Sequence, residues 1–258
     1  MTPAATASLA ARLSAARAAA HAFADWDAPA YALPEDPDAA YAVQAEIIRL
    51  SGGPVRGWKV TALKREDQGA YGGDRPVAGP LLAAAVHASP ATLPLSGFLT
   101  PMLECEFAFV LGRDLPPRSA PYDLDAVAQA VDAVVAAFEI ADGRVPAGAP
   151  GPLRLADSMG NGAFVHGVPI RDWRGLDRAG PVVLRLDGAV VEEGSGRRIL
   201  GDPLKAVQAL ANAQPLAGSL RAGQMITTGT ATMPLRLTRP GLAQADFGPL
   251  GTIAVAIG

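Results

Sequence analysis

The sequence predicts an α+β fold in which a β-rich unit follows a short helical lead-in. Three observations predict it. Short apolar runs separated by glycine- and proline-rich turns fill the chain after residue 53, the pattern of a many-stranded domain with helices around it. Helical periodicity dominates the residues before that point. Asp187-Gly188 joins the apolar runs Val182–Leu186 and Ala189–Glu193, a strong hairpin signal.

The elements follow in order. Ala5–Phe23 reads as an amphipathic helix with Leu9, Leu13, Ala16 and Ala20 along one stripe. Asp36–Leu50 reads as a second, entered through a turn-like LPEDPD and left at Gly52-Gly53-Pro54. Pro54–Thr61 is the first strand, and Gly57 within it marks a bulge or a close backbone approach. Ala62–Gly79 is polar and glycine-rich and reads as a loop able to cover a site. Leu103–Leu111 is a strand, followed by a helix from Tyr122-Asp123 towards Val131. Val134–Ile140, Ala163–Val168, Gln224–Thr228, Leu235–Thr238 and Thr252–Ile257 complete the strands, with a helix over Pro203–Ala213. The division expected is a lead-in over residues 1–53 and a core over 54–258, packed as one unit.

Bulk composition narrows the function. Half of the 258 residues are apolar, 18% are charged and the net charge is −3, with no dense basic block. Nucleic acid and an anionic membrane are therefore not the expected partners. The one cysteine, Cys105, excludes an intrachain disulfide framework and a cysteine metal cluster. No apolar run reaches the roughly 18–20 residues of a membrane span. The alanine-rich start is interrupted by Arg12 and Arg17, so it is not an export signal. The expected location is the cytoplasm.

The chemistry concentrates in Pro101–Gly112, PMLECEFAFVLG. A strand has period two, so Glu104 and Glu106 share one face and Cys105 takes the other, as a small buried hydrophobe. Two readings of the pair stand: a solvated strand face, or carboxylates that share a divalent cation. The apolar flanks Leu103, Phe107, Phe109 and Val110, and a third carboxylate, Glu139, ending the apolar run VVAAFEI, weigh towards the cation. Hard ions such as Mg²⁺ take oxygen ligands. Lys59, one of three lysines, lies in the apolar strand GWKV. It is either a snorkelling surface lysine or a desolvated proton donor or acceptor with Asp74 or Asp157 nearby. The loop Thr227-Thr228-Gly229-Thr230 is either a plain strand end or a group of N–H donors for a carboxylate. His21, His87 and His166 fit no metal-ligand spacing, and nucleophile-elbow, P-loop and dinucleotide motifs are missing.

The segments GWKV, DRPVAG, LECEFAFVLGRDLP, AAFEIADGR, LADSMGNGAFVHG, ILGDP, LANA and LRAGQMITTGT stand in an order and spacing that resembles the fumarylacetoacetate hydrolase superfamily. Within it they are most similar to the branch of 2-oxopent-4-enoate hydratase and 4-oxalocrotonate decarboxylase. The resemblance runs from Gly57 to the C-terminus. It implies a mixed β-roll core, on which the two helices read before it would form an N-terminal cap. It implies Mg²⁺ or Mn²⁺ on Glu104, Glu106 and Glu139, catalytic roles for Lys59 and Asp74, and a soluble homo-oligomer able to associate with a partner enzyme. The implied substrate is a 2-oxo acid that chelates the metal; Asp157, Ser158, Thr228 and Arg75 of this chain are the residues expected to bind it. The implied reaction is hydration or decarboxylation through a metal-stabilised enolate. Lys59 is the expected proton shuttle, desolvated enough to titrate near neutrality.

The chain departs from the family pattern beside these residues. Thr61-Ala62-Leu63-Lys64 stands where glycine and Thr-Ser are usual, and Asp74-Arg75-Pro76 replaces Asp-Glu-Pro. Asp142-Gly143-Arg144 replaces Asp-Ser-Arg, and Ala156-Asp157-Ser158 replaces Ala-Asp-Asn. Lys64, Arg65 and Arg75 add positive charge to the covering loop, which points to a second substrate carboxylate, as in 4-oxalocrotonate. Two other readings compete: a carbon–carbon bond hydrolase acting on acylpyruvates, and a catalytically silent subunit that binds a 2-oxo acid.

Overall fold

The computed structural model describes residues 1–214 and 220–258. In chain order the elements are α1 (Pro3–Ala18), α2 (Pro37–Ser51), β1 (Val55–Thr61), α3 (Arg65–Gln68), β2 (Val77–Leu82), β3 (Val86–Ala88), β4 (Ala91–Leu93) and β5 (Met102–Leu111). They continue as α4 (Leu124–Ala130), β6 (Val131–Ala141), α5 (Gly151–Ala156), β7 (Asn161–His166), β8 (Pro181–Leu186) and β9 (Ala189–Ser195). α6 (Leu204–Asn212), β10 (Met225–Thr230), β11 (Leu235–Arg236), β12 (Gly241–Asp246) and β13 (Thr252–Ile257) close the chain. No described helix is long and apolar enough to cross a membrane.

The helices begin and end where local chemistry directs. Asp36 accepts a hydrogen bond from the Ala39 N–H at 2.8 Å as the N-cap of α2, and Gly52, at φ +64°, ends it. The expected first helix is too long by a turn. α1 stops at Ala18 because Ala20 turns left-handed and the buried Phe23 donates its N–H to the Arg144 carbonyl at 2.7 Å. That contact is tertiary, and an alanine run carries no stop signal of its own. The expected hairpin is present: Asp187 and Gly188, at φ +51° and +84°, link β8 to β9.

The larger sheet has eight strands, in the order β2-β1-β10-β5-β6-β7-β3, with β11 added beside β5. The smaller runs β4-β13-β12-β8-β9. Cys105, Phe107 and Phe109 of β5 and Phe138 of β6 point into a core shared with Leu184, Ala243, Ile253 and Val255 of the smaller sheet. Phe107 meets Phe247 edge-on, with ring centroids 5.3 Å apart. The opposite face of β5 carries Glu104, Glu106 and Ala108, so the core fills one side of the large sheet and leaves the carboxylates on the other.

Three segments correct the sequence reading. The covering loop is shorter than Ala62–Gly79: it contains α3, and from Val77 it is strand β2, antiparallel to β1. Pro80 within β2 disguises it. Gly151–Ala156 form a short helix, α5, and Gly241–Asp246, poor in β-branched residues, forms β12. Gly57 is a point of close approach and of bulging: its register with β2 shifts there, and a Cβ on it would lie 1.9 Å from the Met225 carbonyl oxygen of parallel β10.

α1 and α2 pack on each other and on α5. Leu9, Leu13, Tyr41, Val43 and Ile47 share one apolar cluster with Val77, Leu153 and Leu155. The buried Gln44 of α2 donates to the carbonyls of Ala78 at 3.0 Å and Leu155 at 2.6 Å, tying β2 to α5.

Cys105 is fully buried, and burial pushes its thiol up to about 12. The folded protein should therefore leave Cys105 unlabelled by iodoacetamide at pH 8, where an exposed thiol is partly ionised. Mass spectrometry should find full alkylation once guanidinium unfolds the chain. Rapid labelling of the folded form would contradict the placement.

Candidate metal centre and active site

The antiparallel register of β5 and β6 sets Glu104 directly opposite Glu139, with Glu106 opposite Ala137. Sequence separation hides this pairing, and it brings three carboxylates onto one sheet face. One oxygen from each lies within 4.8 Å of the others. Glu106 and Glu139 are 1% exposed and Glu104 is partly buried.

Two of the carboxylates are held by groups from other elements. β10 bulges between Thr227 and Thr230, which turns the N–H groups of Thr228 and Gly229 onto Glu106 Oε2 at 3.2 and 3.1 Å. Thr228 thus offers the protein's own Glu106 its backbone, while its hydroxyl donates to the Phe107 carbonyl at 3.0 Å. Asn161, at the start of β7, donates Nδ2 to Glu139 Oε1 at 3.3 Å. Lys59 of β1 forms an ion pair with the same Glu139 oxygen and donates to the Met159 carbonyl at 3.0 Å. Asn161 and the Met159 carbonyl were not singled out from the sequence, whereas Thr228 and Gly229 stand in the loop read there as either a plain strand end or a group of N–H donors. A lone backbone carbonyl carries no sequence signal, and Asn161 lies far from Glu139 along the chain.

Charge is out of balance in this site. Three carboxylates face one ammonium. Desolvation, then the Glu139 charge, raises Glu104 to about 7, and desolvation with both neighbouring carboxylates lifts Glu106 well above the ordinary range. A site that drives its own acids towards protonation lacks positive charge, and an all-oxygen donor set matches a hard divalent cation. The residues therefore fit such an ion. The expectation for Lys59 needs correction: desolvation pulls it down, but Glu139, Glu104 and Glu106 outweigh burial and hold it above the usual lysine value. Lys59 here is an ammonium.

The other sequence candidates scatter. Asp157 is buried. It accepts the Arg144 N–H at 2.6 Å and lies 3.4 Å from Arg17 of α1, and burial raises its pKa despite that cation. Ser158 is buried beside it at φ +55°, and its hydroxyl has no partner. Asp74 is exposed and makes no side-chain hydrogen bond among the described residues. Arg75 is exposed as well, 3.8 Å from Asp38 at the start of α2. Lys64 lines a cavity of about 250 Å³ with Thr228, Gly229 and Thr230. A larger cavity, about 520 Å³, opens at Met102 and Ala141, the next residues on the carboxylate face, and includes Met159, Asp142, Asp157, Arg144, Arg154 and Tyr71.

Close packing at Gly79 sets the Lys59 geometry. Gly79 pairs with Lys59 across β1 and β2, and a Cβ there would lie 2.3 Å from the Ser158 carbonyl oxygen. Gly79→Ala should push the Ser158–Met159 turn away and loosen the Lys59 contact. Overpacking of this kind costs roughly 1–3 kcal/mol, so a lowered melting temperature is expected, with divalent-ion binding retained. An unchanged melting temperature would mean that the turn yields freely.

No family model matches the chain. Curated relatives do. The 2-keto-4-pentenoate hydratase of Paraburkholderia xenovorans (strain LB400) is 36% identical over 213 residues, which cover 79% of this chain and 77% of that protein. The 2-oxo-hept-4-ene-1,7-dioate hydratase of Escherichia coli is 30% identical over 228 residues, covering 83% and 84%. Among solved structures, the 4-oxalocrotonate decarboxylase from Pseudomonas putida G7, complexed with magnesium and adipate, superposes with a TM-score of 0.88 at 24% identity over 100% of this chain and 99% of that one. The curated identities show the family: the chain belongs to that of the 2-keto-4-pentenoate hydratases, with the fold of 4-oxalocrotonate decarboxylase and of fumarylacetoacetate hydrolase family proteins.

Proposed function

We propose that the protein is a metal-dependent lyase acting on an unsaturated 2-oxo acid, by hydration of a 2-hydroxydienoate or decarboxylation of a 4-oxalocrotonate-type substrate. One observation carries the reading: three carboxylates on one sheet face, two buried and one partly buried, with a single lysine among them, in a chain of this family. Glu104, Glu106 and Glu139 would hold Mg²⁺ or Mn²⁺. Bound there, the ion supplies Lewis-acid stabilisation of the charge that develops on the enolate oxygen of a 2-oxo acid, worth several kcal/mol in the transition state.

The chain's own residues do the rest. The N–H groups of Thr228 and Gly229 and the amide of Asn161 hold two of the carboxylates in place, which lowers the cost of assembling the site. Lys59, held as an ammonium, donates a proton to the terminal carbon of the dienol while the enol O–H gives its proton back to the amine, so that the dienol becomes a ketone and the ammonium is restored. Water then adds across the remaining double bond, hydroxyl to one carbon and hydrogen to its neighbour. Asp157 and Ser158 support the Met159 turn against which Lys59 rests. We assign Asp74 and Arg75 to the outer rim, where substrate enters. α1 and α2 serve as a cap over the α5–β7 turn, a reading supported by Arg17, which donates to the Asn161 carbonyl. Assembly as a homo-oligomer completes the proposal.

The test is direct. Purified protein with Mg²⁺ is mixed with 2-hydroxypenta-2,4-dienoate or 4-oxalocrotonate, and loss of the conjugated chromophore is followed. Turnover that EDTA abolishes is the expected result. Tight binding of a 2-oxo acid without turnover would identify a silent subunit instead. Release of pyruvate and a carboxylic acid from an acylpyruvate would identify a hydrolase.

A further inference from the structure

The larger cavity beside the carboxylates contains a cation that the proposed chemistry does not use. Met102 and Ala141 form part of its wall, and each lies one side-chain repeat, about 7 Å of strand, from Glu104 and Glu139 on the same face. Met159, whose carbonyl receives Lys59, lines it too. The carboxylates and Lys59 do not line the cavity themselves, but its wall begins at the next residues of their face, with room at about 520 Å³ for the rest of a small substrate.

Four charged groups line this cavity, and three are committed. Asp142 accepts the Leu99 and Thr100 N–H groups, with bonds of 3.0 and 2.7 Å among them, and is paired with Arg144. Asp157 accepts the Arg144 N–H and lies beside Arg17. Arg144 is paired with Asp142 through Nη1, although its Nε, like that of Arg154, is buried without a hydrogen bond. Arg154 differs. Its guanidinium lies over the Tyr71 ring, 5.2 Å from the centroid, but among the described residues it has no carboxylate partner, and its Nε is buried without a hydrogen bond. A partly buried guanidinium that keeps a donor unpaired is costly unless an acceptor joins it. The planar fork of arginine suits a carboxylate, held by two parallel N–H···O bonds. Lys64, Arg65 and Arg75, the basic residues of the covering segment, are exposed, where pairing contributes little.

We propose that Arg154 is the specificity-determining residue for a second carboxylate at the far end of the substrate, so that the enzyme takes a 2-oxo dicarboxylate. The assignment rests on the lyase reading, since it uses the metal centre to anchor the 2-oxo acid end. Tyr71 keeps the guanidinium flat against the cavity wall, and the apolar Met102 lies along the carbon chain between the two anchored ends.

Two unreactive probes of equal length test it. 2-Oxoadipate and 2-oxohexanoate differ only in the terminal carboxylate, and their affinities can be measured by titration calorimetry with Mg²⁺ present. Wild-type protein should bind 2-oxoadipate at least tenfold more tightly, the scale of one charge-assisted hydrogen-bonded pair. Arg154→Met should erase that preference while leaving 2-oxohexanoate affinity within about twofold, which also shows an intact site. Arg154→Lys should restore part of it. Equal affinity of wild type for the two probes, or a preference that survives Arg154→Met, overturns the role of Arg154 and leaves the lyase reading standing if the chromophore assay shows turnover. Failure of the wild type to bind either probe, with no turnover in that assay, overturns both.

Discussion

Glu106→Gln is expected to abolish metal-dependent turnover, with a loss of about a thousandfold or more. The size follows from the role: removing one of three charged ligands weakens the ion that stabilises the enolate, and such stabilisation is worth several kcal/mol, each 1.4 kcal/mol being about a factor of ten. Thermal unfolding gives an independent reading. A ligand at a hundred times its dissociation constant stabilises the folded form by about 2.7 kcal/mol, so Mg²⁺ should raise the melting temperature of the wild type by several degrees. In Glu106→Gln that rise should disappear, while the circular dichroism spectrum stays native. A variant that keeps both the Mg²⁺ shift and the turnover would remove Glu106 from the metal centre.

Lys59→Met is the second large effect, and it separates proton transfer from ion binding. Positioned acid–base groups contribute about 10²–10⁴-fold in rate, and turnover should fall by that amount. Metal affinity should rise, because the variant removes a cation that competes for Glu139. Without metal the same change leaves three carboxylates with no counter-charge. Breaking a buried pair costs roughly 3–5 kcal/mol, so the metal-free variant should melt well below the wild type, and Mg²⁺ should recover much of the difference. Lys59→Arg should keep the charge but not the chemistry, since a guanidinium does not give up its proton near neutral pH. Full activity in Lys59→Met would show that the lysine only balances charge.

Read alone, the chain reveals what depends on local geometry. Strand period two puts Glu104 and Glu106 on one face and Cys105 on the other, and the structure has them so, with Cys105 in the core. Asp36 and Gly52 mark the ends of α2, and Asp187-Gly188 marks the hairpin, because capping and left-handed turns are properties of a few neighbouring residues. The third carboxylate is visible as well, as a glutamate ending an apolar run.

What only the tertiary structure decided depends on pairing between distant segments. The register that sets Glu104 against Glu139, the bulge that aims Thr228 and Gly229 at Glu106, and the approach of Asn161 are fixed by strand neighbours that sequence distance does not specify. The state of Lys59 is decided in the same way. Burial argues for a neutral amine, and three facing carboxylates reverse it, a balance of desolvation and Coulomb terms that exists only once the strands are assembled. Arg154 follows the same rule: nothing in PLRLAD distinguishes it, and its unpaired donor beside the carboxylate face exists only in the folded cavity. Local physics wrote most of the elements and put two carboxylates on one strand face, while long-range packing brought up the third, set their charges and shaped the space beside them.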